Sequence, residues 1–100
     1  MRLGERTLGQ SSLFLGKSDA LPEYLKAVIE VSSVFTPKEE RKKGYADALM
    51  ARIVAEADAE KVVLMLMPDG FDWLEAWYEK HGFKRIQDYP VLMARPFKND

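Results

Sequence analysis

The chain has 100 residues, 47% of them hydrophobic, and 15 basic against 16 acidic side chains leave a net charge of −1. This length and apolar content suit one globular domain and exclude disordered and fibrous architectures; near-neutrality excludes a global field for nucleic acid or anionic membrane. Cysteine is absent, which excludes disulfides, iron–sulfur clusters, thiolate zinc sites and a thiol nucleophile; if the chain is an enzyme, its nucleophile or its difficult chemistry is expected to arrive with a substrate or cofactor.

Gly4, Gly9 and Gly16 punctuate two short segments, Leu3 to Gln10 and Ser12 to Lys17, which read as a hairpin. Lys17 to Pro22 is a turn. Tyr24 to Phe35 is rich in β-branched and aromatic residues and reads as a longer strand. Period two sets Tyr24, Lys26, Val28, Glu30 and Ser32 on one face, and Leu25, Ala27, Ile29 and Val31 on an apolar one. Further on, Ala46, Leu49, Met50, Ile53, Val54 and Ala57 recur at helical spacing and predict an amphipathic helix. Val62 to Met67, a continuous apolar run, predicts a central strand covered on both faces. It is far shorter than the ~20 residues that span a bilayer. Pro68 to Gly70 is a turn. Asp72, with Glu75 three residues on, resembles a capping box that opens a second helix. Phe71, Leu74, Trp77, Tyr78 and His81 share one face of that helix, and Gly82 follows it as the C′ residue. Phe83 to Ile86 and Val91 to Phe97 read as final strands flanking Gln87 to Pro90. The order β-β-β-α-β-α-β-β is α/β or α+β, with a mixed sheet and one parallel β-α-β crossover. The N-terminus carries Arg and Glu and no apolar signal-peptide segment, so a cytoplasmic domain is expected.

Thr36 to Ala46 is the most informative stretch. A Thr36 cap, Pro37 and Glu39 favour a helical turn there. Residues 38 to 43, however, offer no apolar face to bury, and Gly44 inside a helix costs about 1 kcal/mol relative to Ala. The residues favour a break, with the helix entering near Gly44. A strand end, a glycine-containing loop and a helix N-terminus together form an anion site, strengthened by Arg41, Lys42 and Lys43. A pyrophosphate is the natural ligand; the competing reading is a solvated charge run.

Arg41-Lys-Lys-Gly44-Tyr-Ala46 resembles the [Q/R]-x-x-G-x-[G/A] loop of GNAT-type N-acetyltransferases, and Trp77-Tyr78-Glu-Lys-His-Gly82-Phe83 is similar to that family's Y-x-x-x-G-F segment. The two matches cover about residues 24 to 97. The resemblance implies a mixed, mostly antiparallel sheet in which acetyl-CoA lies between two parallel strands, here those ending near Phe35 and Met67. It implies pyrophosphate contacts from backbone amides of Arg41, Lys42, Lys43, Gly44, Tyr45 and Ala46, and pantetheine contacts near Val34, Phe35 and Thr36. A bulge that splays the strands falls at Ser32-Ser33, both poor strand formers. Tyr78 takes the place of the tyrosine that protonates or hydrogen-bonds the departing thiolate; alternatively it packs in an aromatic helix face. Glu30, 14 residues before Gly44, matches the catalytic glutamate of the histone-acetyltransferase branch and would deprotonate an amine. Its other reading is a surface glutamate on a half-exposed strand.

His81, the only histidine, suits stabilising the helix dipole or packing beside Gly82 better than catalysis or metal binding. Trp73 and Trp77 suit core or interface packing, or an acyl or aromatic substrate pocket. Where family helices often carry an asparagine and an alanine ahead of the tyrosine, this chain has Phe71 and Leu74. Family members usually place one or two helices before the strand holding Glu30, to wall the acceptor site. Here two short strands precede it, so the acceptor cleft is expected to be open or completed by a second subunit. The expected activity is acetyl transfer from acetyl-CoA to a small-molecule or protein amine, by direct attack in a ternary complex. The alternatives are a non-catalytic acyl-CoA-binding or regulatory module and a nucleic-acid or partner-binding domain using Lys38 to Lys43.

Overall fold

The structure is a computed structural model that describes residues 1–17, 28–36, 44–68 and 72–97. Six strands and two helices follow in the expected order: β1 (Gly4–Leu8), β2 (Ser11–Gly16), β3 (Val28–Phe35), α1 (Tyr45–Glu60), β4 (Val63–Leu66), α2 (Asp72–Lys80), β5 (Lys84–Asp88) and β6 (Val91–Arg95). They form one sheet of spatial order β1-β2-β3-β4-β6-β5. Only β3 and β4 pair in parallel, joined through α1, so the sheet is mixed and mostly antiparallel. The turn at 17–22, Tyr24 to Ala27 of the third expected strand, and Phe71 lie outside the described residues.

The ends of the elements obey local backbone chemistry. Gly9 opens the two-residue turn between β1 and β2 at φ 61°, a conformation that glycine adopts without a side-chain penalty. Gly82, at φ 95°, ends α2: its N–H bonds the Glu79 carbonyl at 2.9 Å, and the Phe83 N–H bonds the Tyr78 carbonyl at 3.2 Å. That is a Schellman cap, and it takes up the Phe83 N–H, so β5 begins at Lys84 rather than at Phe83. The same motif closes α1 with Lys61 in the left-handed position at φ 57°, and the Val62 N–H is bound to the Ala57 carbonyl at 2.8 Å. Hence β4 begins at Val63, not Val62. β5 runs on to Asp88 beyond the expected Ile86, leaving only Tyr89–Pro90 as the loop. β6 stops at Arg95, short of the expected Phe97, because Pro96 has no N–H for the ladder.

Strand alternation then decides where the core lies. Leu13 and Leu15 of β2, Ile29 and Val31 of β3, Leu64 and Leu66 of β4 and Met93 of β6 all point to one face and are buried. Leu49, Met50, Ile53 and Ala57 of α1 close over them, joined by Tyr78 and Phe83 from α2 and its end. Arg95 points to the same face and is 4% exposed. Its guanidinium donates to both Asp58 carboxylate oxygens of α1 at 2.9 Å and to the His81 carbonyl at 3.0 Å. Both helices therefore cover one face. On the other face Val63 and Met65 of β4 are only half-buried, so β4 is fully covered on one side rather than on both.

Candidate functional site

β3 and β4 run side by side for three pairs, Val28 with Val63, Ile29 with Leu64 and Glu30 with Met65. After Glu30 they part. β3 continues to Phe35 along β2, while β4 continues to Leu66 along β6. The cause lies in β3: its register against β2 steps from Ser32–Phe14 to Phe35–Ser12, so β3 carries one extra residue there. Ser33 takes φ 53°, a left-handed conformation that costs a non-glycine residue of the order of 1–3 kcal/mol and tends to mark functional sites. The Ser32-Ser33 bulge is thus present, and it opens a gap between two parallel strand ends. Phe35 and Met67 stand at its lips, 58% and 60% exposed. Val34 is half-buried, and the Thr36 and Ser11 hydroxyls lie 3.1 Å apart, tying the end of β3 to β2.

The start of α1 borders this gap in sequence. Gly44 is its N-cap at φ 76°; among the described residues no side chain caps the helix, and none lies within 4 Å of a Cβ built at Gly44. The first-turn N–H groups of Tyr45, Ala46 and Asp47 precede the hydrogen-bonded ladder, whose first bond is Ala48 N–H to the Gly44 carbonyl at 3.0 Å. Tyr45 holds this end in place by packing on the first hairpin: a Cβ on Gly9 would lie 2.9 Å from its ring. Arg41, Lys42 and Lys43 lie outside the described residues. The chemistry of the described part suits an anionic group, because the helix dipole and the first-turn amides that precede the ladder favour negative charge at this end.

Tyr78 is 5% exposed and meets Trp77 and Phe83 edge-on, with ring centroids 5.2 and 5.8 Å away. It belongs to the helix-covered face. Glu30 alternates with the buried Ile29 and Val31 and therefore projects from the opposite face, half-buried. The two candidate catalytic residues are not brought together: they flank the sheet from its two sides, with the gap beyond.

Asp47 is the residue that sequence reasoning missed. Its Oδ1 accepts from Trp77 Nε1 at 2.8 Å and His81 Nε2 at 3.0 Å, with Lys80 Nζ at 2.8 Å, so the first turn of α1 is clasped to the last turns of α2. The Lys80 ammonium, foremost, and the His81 and Trp77 donors hold the Asp47 carboxyl below its ordinary range despite partial burial. His81 thus serves α1 through its side chain and packs on Trp77, with centroids 4.9 Å apart, in place of the expected packing at Gly82. An acidic residue in a first helical turn was the available signal; its partners are 30 or more positions away. Trp73 is 65% exposed, so core packing does not describe it.

The family model described as an acetyltransferase (GNAT) domain matches residues 6–85. No curated protein matches the chain. Among solved structures, the fold is similar to that of a GNAT-family acetyltransferase from Staphylococcus aureus Mu50, at 15% identity and a TM-score of 0.68 over 88% of this chain and 60% of that one. It is similar to a protein of Exiguobacterium sp. 255-15 (19%, 0.67, 86% and 53%) and one of Agrobacterium tumefaciens (17%, 0.69, 96% and 75%). The chain thus spans between about half and three-quarters of the length of these structures. With a family match over most of its length, and the sheet order and splayed parallel pair described above, the chain belongs to the GNAT acetyltransferase domain family.

Proposed function

We propose that the protein is an N-acetyltransferase that moves acetyl from acetyl-CoA to a primary amine by direct attack in a ternary complex. The observation that carries this reading is the parting of β3 and β4 beyond Glu30–Met65, beside an uncapped α1 that starts at a left-handed Gly44. Acetyl-CoA, when bound, supplies the reactive thioester. The residues present fit it: the backbone amides of Gly44, Tyr45 and Ala46, with Arg41, Lys42 and Lys43 just upstream in sequence, would hold the pyrophosphate, and the backbone of Val34, Phe35 and Thr36 would hold the pantetheine arm.

Placement on the two sides of the sheet supports separate roles for Glu30 and Tyr78. An amine with a pKa of about 10.4 has to lose a proton before it attacks, and Glu30, on the uncovered face, takes it directly or through water. Tyr78, on the helix face, would hydrogen-bond the departing thiolate. A phenol near pKa 10 and a thiol near 8.5 make full proton transfer uphill by about 2 kcal/mol, so hydrogen bonding carries most of the effect. A second reading, an acyl-CoA-binding module without turnover, is favoured by the near-complete burial of Tyr78.

Two measurements test these. Calorimetry with acetyl-CoA is expected to show binding; none at millimolar cofactor defeats both readings. Thiol release with an amine panel is expected to rise above background hydrolysis; cofactor binding without amine-dependent thiol release leaves the module.

A further inference from the structure

The sheet face turned away from the helices carries an arrangement that the transfer reaction alone does not explain. One row across it runs Gly16, Glu30, Met65, Ala94 and Lys84, with Val28 and Val63 paired in the row behind. Glu30 is a half-buried carboxylate among apolar neighbours, and among the described residues no hydrogen bond or ion pair engages it. Lys84, the basic residue of this row, is three strand spacings from Glu30, roughly 14 Å. A carboxylate in such surroundings is stabilised by a cation brought to it from outside.

Phe14 supplies the second half. It points to the same face, two residues from Gly16, and is 47% exposed. A Cβ on Gly16 would lie 3.2 Å from Phe14 Cε1, so the ring reclines over the glycine instead of standing above Ser32, its own cross-strand partner. Gly16 is the register partner of Glu30, which sets ring and carboxylate next to one another. An aromatic face attracts a cation and buries its apolar substituents at once. Glu5 lies opposite Phe14 on β1, on the far side of the ring.

We infer that Glu30 and Phe14 form the acceptor subsite for a small primary amine carried on an apolar, aromatic arm. The ammonium pairs with Glu30, and the arm lies on the Phe14 ring over Gly16 and against Met65. The term acceptor rests on the acetyltransferase reading; the amine site itself does not.

Calorimetry on the full chain with 2-phenylethylamine, ethylamine and spermidine, each with and without coenzyme A, tests this. Phenylethylamine is expected to bind at least tenfold more tightly than ethylamine. Phe14→Ala removes that preference, and Glu30→Gln weakens both amines. Gly16→Val, whose side chain takes the place of the ring without altering Phe14, also removes the preference; circular dichroism verifies that each variant folds. Equal affinity for the two simple amines, tighter binding of spermidine, or an aryl preference that survives Phe14→Ala overturns the inference. Coenzyme A binding without amine binding defeats this inference alone. Amine binding without coenzyme A binding upholds the subsite and defeats the transferase reading.

Discussion

At the residue scale, two buried or clasped side chains carry different burdens. Tyr78 has its ring packed on Trp77 and Phe83. Tyr78→Phe keeps the packing, so it is expected to lower kcat by a factor of about 10²–10⁴ with acetyl-CoA affinity within twofold of the parent. A steady-state kcat that stays within twofold removes Tyr78 from the reaction. Asp47 is a titrating clasp. Its carboxyl is held below the ordinary value of about 3.9, so its stabilisation is present above that pH and is lost as pH falls through the lower folded value. Because its side chain is 45% exposed, solvent screening limits the contribution to under about 1 kcal/mol. Asp47→Asn is therefore expected to shift the urea midpoint slightly downward at pH 7, with the difference from the parent closing as pH falls below the ordinary carboxylate range. A gap that persists at low pH would assign the effect to packing, not charge.

At the scale of elements, charged joints hold the helices to the sheet as well as apolar contact, and the most buried of them is that of Arg95 with Asp58. Arg95 of β6, 4% exposed, binds Asp58 of α1 through two bonds and the end of α2 through the His81 carbonyl. A Cβ on Gly82 would come within 3.0 Å of the Arg95 Nε, so the glycine cap and the arginine share one space. Removing one partner strands a buried charge, which costs about 3–5 kcal/mol, whereas replacing both with apolar residues is often neutral. Asp58→Ala is expected to lose about 3 kcal/mol in urea unfolding, and Asp58→Leu with Arg95→Met to recover most of it. Similar losses in single and double variants would show that the joint is not acting as an ion pair. Neither partner was marked in the sequence. Asp58 reads as one more polar residue after Ala57, and Arg95 as the outer end of a strand. The helical spacing from Ala46 to Ala57 and the alternation through Ile29 and Val31 were legible, because periodicity reports which face is buried. Element ends were not: the Lys61 cap lacks a glycine, and the N–H groups of Val62 and Phe83 go to helix caps that periodicity does not encode.

At the scale of the whole molecule, the order of elements along the chain and the parallel crossover were legible in the sequence, and the bulge through two serines out of place among β-branched residues, whereas the insertion of β6 between β4 and β5 was not. The site was legible only in part. Local motifs pointed to Gly44 and Tyr78, which lie on helix ends. The relation among residues from different strands did not show: Glu30 and Tyr78 on opposite faces, Phe14 beside Glu30, Asp47 beneath Lys80. Those depend on register, which no local pattern states. The proposed cofactor site draws together the end of β3, the end of β4 and the start of α1, three segments that the described contacts leave joined mainly through the core. A ligand bridging them binds the folded chain alone and adds RT ln(1 + [L]/Kd), about 2.7 kcal/mol at a hundredfold excess over Kd. For a domain of this length each kcal/mol is worth about 4–8 °C. Acetyl-CoA at that excess is expected to raise Tm by about 10–20 °C in calorimetric scans. Gly44→Glu sets a carboxylate and a side chain at the proposed pyrophosphate site, on a backbone of φ 76° that disfavours any side chain. Its own Tm is expected to fall modestly and its cofactor-induced shift to vanish. An undiminished shift in that variant would move the phosphate site away from the start of α1, and with it the reading of the β3–β4 gap.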